Sequence, residues 1–149
     1  MRRADAVENL ARVLDQMEDS LRWLRRSRGI CEEIGLLPRY SEAQFDAFET
    51  LTGRFARTTD LLVHKLFRAI DAVELEEGGT LIDVVNRAHK RGLFDEVDQV
   101  RLVKDLRNSI AHEYVQEAVS ALFGEVLEQA PFLFEVAERA REYCRRYVA

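Results

Sequence analysis

Near the start of the chain, Val7, Leu10, Leu14, Met17, Leu21 and Leu24 recur at alternating steps of three and four. That spacing puts a narrow apolar stripe on one side of a helix, the seam by which helices lie against each other in a bundle. It predicts a first helix from about Ala4 to Arg28. The tail of this helix is basic, with Arg22, Arg25, Arg26 and Arg28. Cations at a helix C-terminus complement its dipole, and Gly29 would then supply the stop. Contact with phosphate is the other reading of the same arginines.

The helical period continues along the chain. Ile30 to Tyr40 reads as a short turn or helical piece ended by Gly35 and Pro38. Ser41 with Gln44 forms a capping-box pattern that opens a long second helix. Its apolar face runs through Phe45, Phe48, Phe55, Leu62, Leu66, Ile70 and Val73, with Gly53 as a place where it could bend or admit a neighbour. His64 has no second metal ligand at helical spacing and reads as a surface histidine. Glu76-Glu77-Gly78-Gly79 is the clearest loop. Thr80 with Asp83 caps a short helix ending at Gly92, with His89 in its last turn. Asp95 is expected to cap the next helix, whose buried face is Val97, Val100, Val103, Leu106 and Ile110. The pattern resumes through Val119, Leu122, Phe123, Val126 and Leu127, then Phe132, Phe134 and Val136. Pro131 interrupts it, giving either one kinked helix or two in succession.

The fold class is therefore all-α: one domain of 149 residues, an antiparallel bundle of four to five main helices. Only two prolines and seven glycines interrupt it. A chain of this length buries roughly 70% of its unfolded surface, enough for a core. Twenty-two basic residues against 27 acidic ones give a net charge of −5, the opposite of a general nucleic-acid binder, so any contact with RNA has to be local. Cys31 and Cys144 show neither metal-ligand spacing nor a disulfide framework, which fits reduced thiols and a cytoplasmic protein. No apolar run approaches the ~20 residues of a membrane span. Met1-Arg2-Arg3-Ala4-Asp5 leads into an amphipathic helix rather than a signal-peptide stretch.

Within the helix that begins near Glu96 lies Arg107-Asn108-Ser109-Ile110-Ala111-His112-Glu113-Tyr114. Stepping about 100° per residue, Arg107, Asn108, His112 and Tyr114 share one face around the small Ala111. Val103, Leu106 and Ile110 fall elsewhere, so the cluster faces mainly away from the core. An arginine fork grips a phosphate in a bidentate manner, and a histidine with a pKa near ~6.5 takes and returns protons at neutral pH. Together they suffice for attack of an RNA 2′-hydroxyl on its own phosphate, with no metal or other cofactor called for.

An arginine, four residues beginning with asparagine, then histidine, one residue and tyrosine resembles the signature of the HepT-like toxins of the HEPN superfamily. The resemblance covers the bundle from about residue 4 to 147, but its specificity lies in residues 107 to 114. It implies a HEPN-like helical bundle, a metal-independent endoribonuclease, and a homodimer in which motifs from two protomers form one composite cleft. His112 would act as general base or acid, Arg107 would bind the scissile phosphate, and Asn108 would orient the site. The motif tyrosine, here Tyr114, would be where a cognate minimal nucleotidyltransferase antitoxin attaches AMP. The chain lacks the Gly-Ser and paired-aspartate pattern of that transferase, so it resembles the target rather than the modifier. Dimerisation could pool Arg107 with RNA-binding groups such as Arg101 and Lys104.

Two other readings remain open. The chain could be a non-catalytic partner subunit that presents a nucleotide or substrate to a nucleotidyltransferase. It could also be a structural dimerisation bundle, with the motif as an interface hydrogen-bond cluster.

Overall fold

A computed structural model of the chain describes residues 2–76 and 78–149, leaving the side chains of Gln116 and Glu117 outside the description. Among the described residues the regular structure is helical throughout, without strands. The Met1 and Glu77 positions read above lie outside the described residues. The neighbouring Gly78 and Gly79 take φ values of 93° and 86°, as a turn there requires.

Helix α1 spans Arg3–Ile34 and stops at Gly35, whose φ of 76° only glycine adopts without strain. The expected stop at Gly29 is therefore corrected: Gly29 lies inside the helix, with open space where a Cβ would be. Burial of Cys31 beyond it carries the helix on, outweighing a glycine penalty of about 1 kcal/mol. The arginines consequently sit in mid-helix and the last turn holds no basic residue, so complementing the dipole is not their role. Three of the four find a side partner instead. Arg22 bonds to Asp19 at 3.1 Å, Arg25 lies over the Phe134 ring, and Arg28 pairs with Glu32.

Helix α2 (Glu42–Asp60) opens at Ser41 with both halves of the capping box formed: the Gln44 N–H donates to Ser41 Oγ at 3.2 Å and the Ser41 N–H to Gln44 Oε1 at 2.9 Å. It runs on through a π-helical segment, Leu61–Leu66, into α3 (Phe67–Val73). The irregularity falls there rather than at Gly53. Phe48, Phe55, Leu62, Leu66, Ile70 and Val73 are buried as their spacing predicts, and Phe45 is half-buried. Helices α1 and α2 run antiparallel, because Ser20 meets Thr58, Ser27 meets Arg54 and Cys31 meets Ala47.

Helix α4 (Leu81–Lys90) begins at a second capping box, Thr80 with Asp83, and the chain turns away at Gly92. Helix α5 (Val97–His112) follows. Its N-cap is Glu96, without a side-chain bond, which corrects the assignment to Asp95. The Asp95 carboxylate is engaged by Arg139 at 2.9 Å, a partner far away in sequence.

After α6 (Gln116–Ser120), α7 runs unbroken from Phe123 to Cys144 with Pro131 inside it. The interruption comes earlier, at Ala121 and Leu122. Proline has no N–H, so the carbonyl four residues back, on Leu127, loses its helical donor. Arg28 supplies one: its Nε donates to the Leu127 oxygen at 3.1 Å. A side chain of the first helix thus repairs the backbone defect of the last.

The core joins these rods. Phe48 of α2 and Phe123 at the start of α7 stack 4.6 Å apart with planes 13° from parallel, and Tyr40 and Phe45 pack around Phe123 edge-on. A buried polar network ties α3, α4 and α7. Asp71 accepts from Arg91 at 2.7 Å and from Arg87 at 2.9 Å, and Glu74 accepts from Arg91 and from the hydroxyls of Tyr143 and Tyr147. Burial pushes the Glu74 carboxyl up, but those hydrogen bonds and the Arg91 charge outweigh it and hold it below the ordinary range. Among the described residues no helix is long and apolar enough to cross a membrane.

Candidate active site

Val100, Val103 and Leu106 are buried, while Val97 and Ile110 are half-buried. Once that stripe is docked, the helical period places Arg107 at the edge facing α2 and sends Asn108 and His112 outward, where both are exposed. Arg107 is not idle at that edge. Its Nε donates to Asp60 Oδ1 and its Nη2 to Asp60 Oδ2, each at 2.8 Å, in a parallel bidentate pair. The third nitrogen, Nη1, lies 3.5 Å from Asn108 Oδ1. The hydrogen bond with Asp60, with its charge adding and burial opposing, pushes the guanidinium pKa further up. The pair remains partly open to solvent, at 31% exposure for the Arg107 side chain and 38% for Asp60.

Asp60 is the functional candidate that the spacing pattern does not reveal. It is the last residue of α2, directly before the π-helical segment. Its partner lies 47 positions on, beyond the reach of helix-neighbour rules.

His112 is the final residue of α5. Glu113 turns to φ −90° and ψ 119° and takes the chain off the helix, with its carboxylate accepting from the Val115 N–H at 3.1 Å. Tyr114 therefore does not continue the helical face, contrary to the wheel; it stands beyond the helix end, 88% exposed. Arg107, Asn108 and His112 do share the helix. Among the described residues no hydrogen bond joins His112 to Arg107 or Tyr114. His112 lies five positions after Arg107, roughly 7.5 Å of axial rise.

Arg101 and Lys104 lie one to two turns earlier on α5. Arg101 is exposed beside Asp98 at 3.4 Å, and Lys104 borders a shallow groove between α4 and α5 floored by Val85, Val97 and Val100. The other histidines do not join the cluster. His64 is exposed on the π-helical segment, and His89 Nε2 donates to the Asp95 carbonyl at 2.9 Å. Among the described residues no group of three or more His, Cys, Asp or Glu side chains is placed to hold a metal ion.

The chemistry on offer is a guanidinium fixed along one edge, an amide beside it, and an imidazole and a phenol open to water. Comparison with family profiles, with curated proteins and with solved structures found no match.

Proposed function

We propose that this chain is the toxin of a HEPN toxin–antitoxin pair: a metal-independent endoribonuclease, active as a homodimer and silenced by AMP attached to Tyr114 by a minimal nucleotidyltransferase. The observation that carries the reading is the exposure of Asn108, His112 and Tyr114 at the end of α5 beside an Arg107 whose guanidinium is held on one edge by Asp60. The Arg107 edge turned away from Asp60 is the one available to a phosphate oxygen.

The reaction needs a base, an acid and a charge clamp. His112 takes the proton of a 2′-hydroxyl as its oxygen attacks the adjacent phosphorus. The new O2′–P bond forms, the O5′–P bond breaks, and the departing 5′-oxygen receives a proton from a second imidazole. Products are a 2′,3′-cyclic phosphate and a 5′-hydroxyl. Arg107 stabilises the charge that builds on the non-bridging oxygens. One copy supplies one imidazole at the end of its helix, so base and acid on opposite sides of the phosphate call for two copies facing each other. AMP on Tyr114 adds bulk and negative charge next to that cleft and repels RNA.

Purified protein is expected to cleave single-stranded RNA in the presence of a chelator, leaving cyclic-phosphate ends, and His112→Ala to abolish it. Cleavage that persists in the variant removes His112 from the mechanism. Intact-mass analysis after co-expression with the transferase is expected to show AMP adducts on Tyr114. Intact RNA combined with tight nucleotide binding would instead identify a non-catalytic partner subunit of a nucleotidyltransferase.

A further inference from the structure

The basic stretch of α1 does not serve the helix end, and its surroundings give it another use. Trp23, the single tryptophan of the chain, is 41% exposed. The guanidinium of Arg22 lies 4.9 Å from its ring centroid and that of Arg54, from α2, lies 5.0 Å away. Arg54 Nη1 donates to the Trp23 carbonyl at 3.2 Å and to Ser27 Oγ at 2.7 Å, both neutral acceptors that leave its charge uncancelled. One turn along α2, Arg57 folds back over Gly53, where a Cβ would sit 3.4 Å from its Nη1. Arg26 shares the outer face of α1 with Trp23, and Arg22 meets Asp19 in an exposed pair of small consequence. Three residues beyond Arg57 comes Asp60, with Arg107 bound to it.

We propose that Trp23, with Arg54, Arg57 and Arg26, forms a binding track for single-stranded RNA that leads along α2 to Arg107, one base stacking on the indole. This deepens the ribonuclease reading and rests on it. From Arg54 to Asp60 the rise is about 9 Å, close enough for one strand to reach both. Charge supports the assignment: a chain of net charge −5 collects arginines around its one partly open indole. The side-chain types support it too. Any base has a face that stacks on an aromatic ring, and arginine adds both phosphate contact and cation–π attraction. A duplex offers no free base face to an indole on a convex helix surface, so the track selects single strands. Arg54 is pinned from beneath, whereas Arg22 is 69% exposed and can swing off the ring to a phosphate as the base arrives.

The test uses the full chain carrying His112→Ala, so that RNA stays intact, titrated with a mixed-sequence oligoribonucleotide of about twelve residues, within the site sizes known for such grooves. Fluorescence of the single tryptophan is expected to be quenched saturably by the single strand and not by the same sequence as a duplex. By anisotropy of labelled RNA, Trp23→Leu is expected to weaken binding about tenfold or more, and Trp23→Phe, which keeps a ring, by only a few-fold. Arg57→Ala is expected to weaken all sequences alike and lower the log–log salt slope by about 1. Circular dichroism of each variant verifies that it is folded. RNA that does not bind, RNA bound with unquenched tryptophan, or folded Trp23→Leu and Arg57→Ala proteins that bind like their parent each overturn the track. If wild-type protein cuts RNA while the track variants bind normally, the track alone fails. If binding and quenching hold but wild-type protein never cuts, the ribonuclease reading alone fails.

Discussion

Asp60 and Arg107 face each other through two parallel hydrogen bonds of 2.8 Å, joining the last residue of α2 to the C-terminal half of α5. The pair is about one-third exposed, so its worth to folding is about 1 kcal/mol or less. Its worth to the proposed reaction is orientation. Asp60→Asn is expected to shift the urea midpoint only slightly, to leave RNA affinity unchanged or improved by the lost negative charge, and to lower kcat at least tenfold. Arg107→Lys keeps the charge but cannot form the fork, and is expected to lose cleavage as well. An Asp60→Asn protein with undiminished kcat would remove Asp60 from the site.

The donation from Arg28 to the Leu127 carbonyl exists because Pro131 cannot donate. Arg28→Ala is expected to destabilise the chain by roughly 1 kcal/mol. In a Pro131→Ala background the backbone supplies its own N–H, and the same substitution should cost distinctly less. A double-mutant cycle from urea unfolding reads the difference. Strict additivity would show that the contact does not compensate for the proline.

Asp71 is 2% exposed and Arg91 6%. Arg91→Met leaves the Asp71 carboxylate buried with only Arg87 beside it, and is expected to cost about 3 kcal/mol or more, seen as a large fall in Tm. A loss within the range of surface substitutions would mean that water reaches the network.

Acid should act through Glu74. Its folded pKa lies below its unfolded value of about 4.3, so its contribution is present above that pH and is lost as pH falls through the lower, folded value. Stability measured from about pH 5 downward should therefore fall less steeply in Glu74→Gln than in the wild type. Parallel curves would assign the acid sensitivity to other carboxylates.

Burial pushes the thiols of Cys31 and Cys144 up to about 11 each, with the Glu74 charge adding at Cys144. At about pH 8 the folded protein should scarcely react with iodoacetamide, while urea-unfolded chains, with thiols near the ordinary ~8.5, take up two adducts. Rapid labelling of the native state would show that these sites open.

Much of the bundle is legible in the sequence because its signals are local. Ser41 with Gln44 and Thr80 with Asp83 mark helix starts through bonds three residues apart, and the stripe from Phe48 to Val73 follows the helical period. The misreadings occur where a distant partner decides. Gly29 resembles a stop until the packing of Cys31 extends the helix past it. Asp95 resembles a cap until Arg139 takes its carboxylate. In the candidate site, the exposure of Asn108 and His112 follows from the buried stripe of their own helix. The hold of Asp60 on Arg107 does not, since nothing local links positions 60 and 107. Tyr114 leaves the face that the helical period assigns it because the helix ends at His112, a boundary that no glycine or proline announces.

The Arg28–Leu127 bond also bears on how the chain reaches its native state. Taken alone, α7 is a helix with a gap in the middle of its ladder, and the group that fills the gap lies 99 residues away. The last helix therefore completes itself only when the first has docked, and any opening that lifts the C-terminal half of α1 loosens the centre of α7 as well. The two ends of the polypeptide should acquire and lose amide-exchange protection together, as one cooperative unit rather than as separate helices.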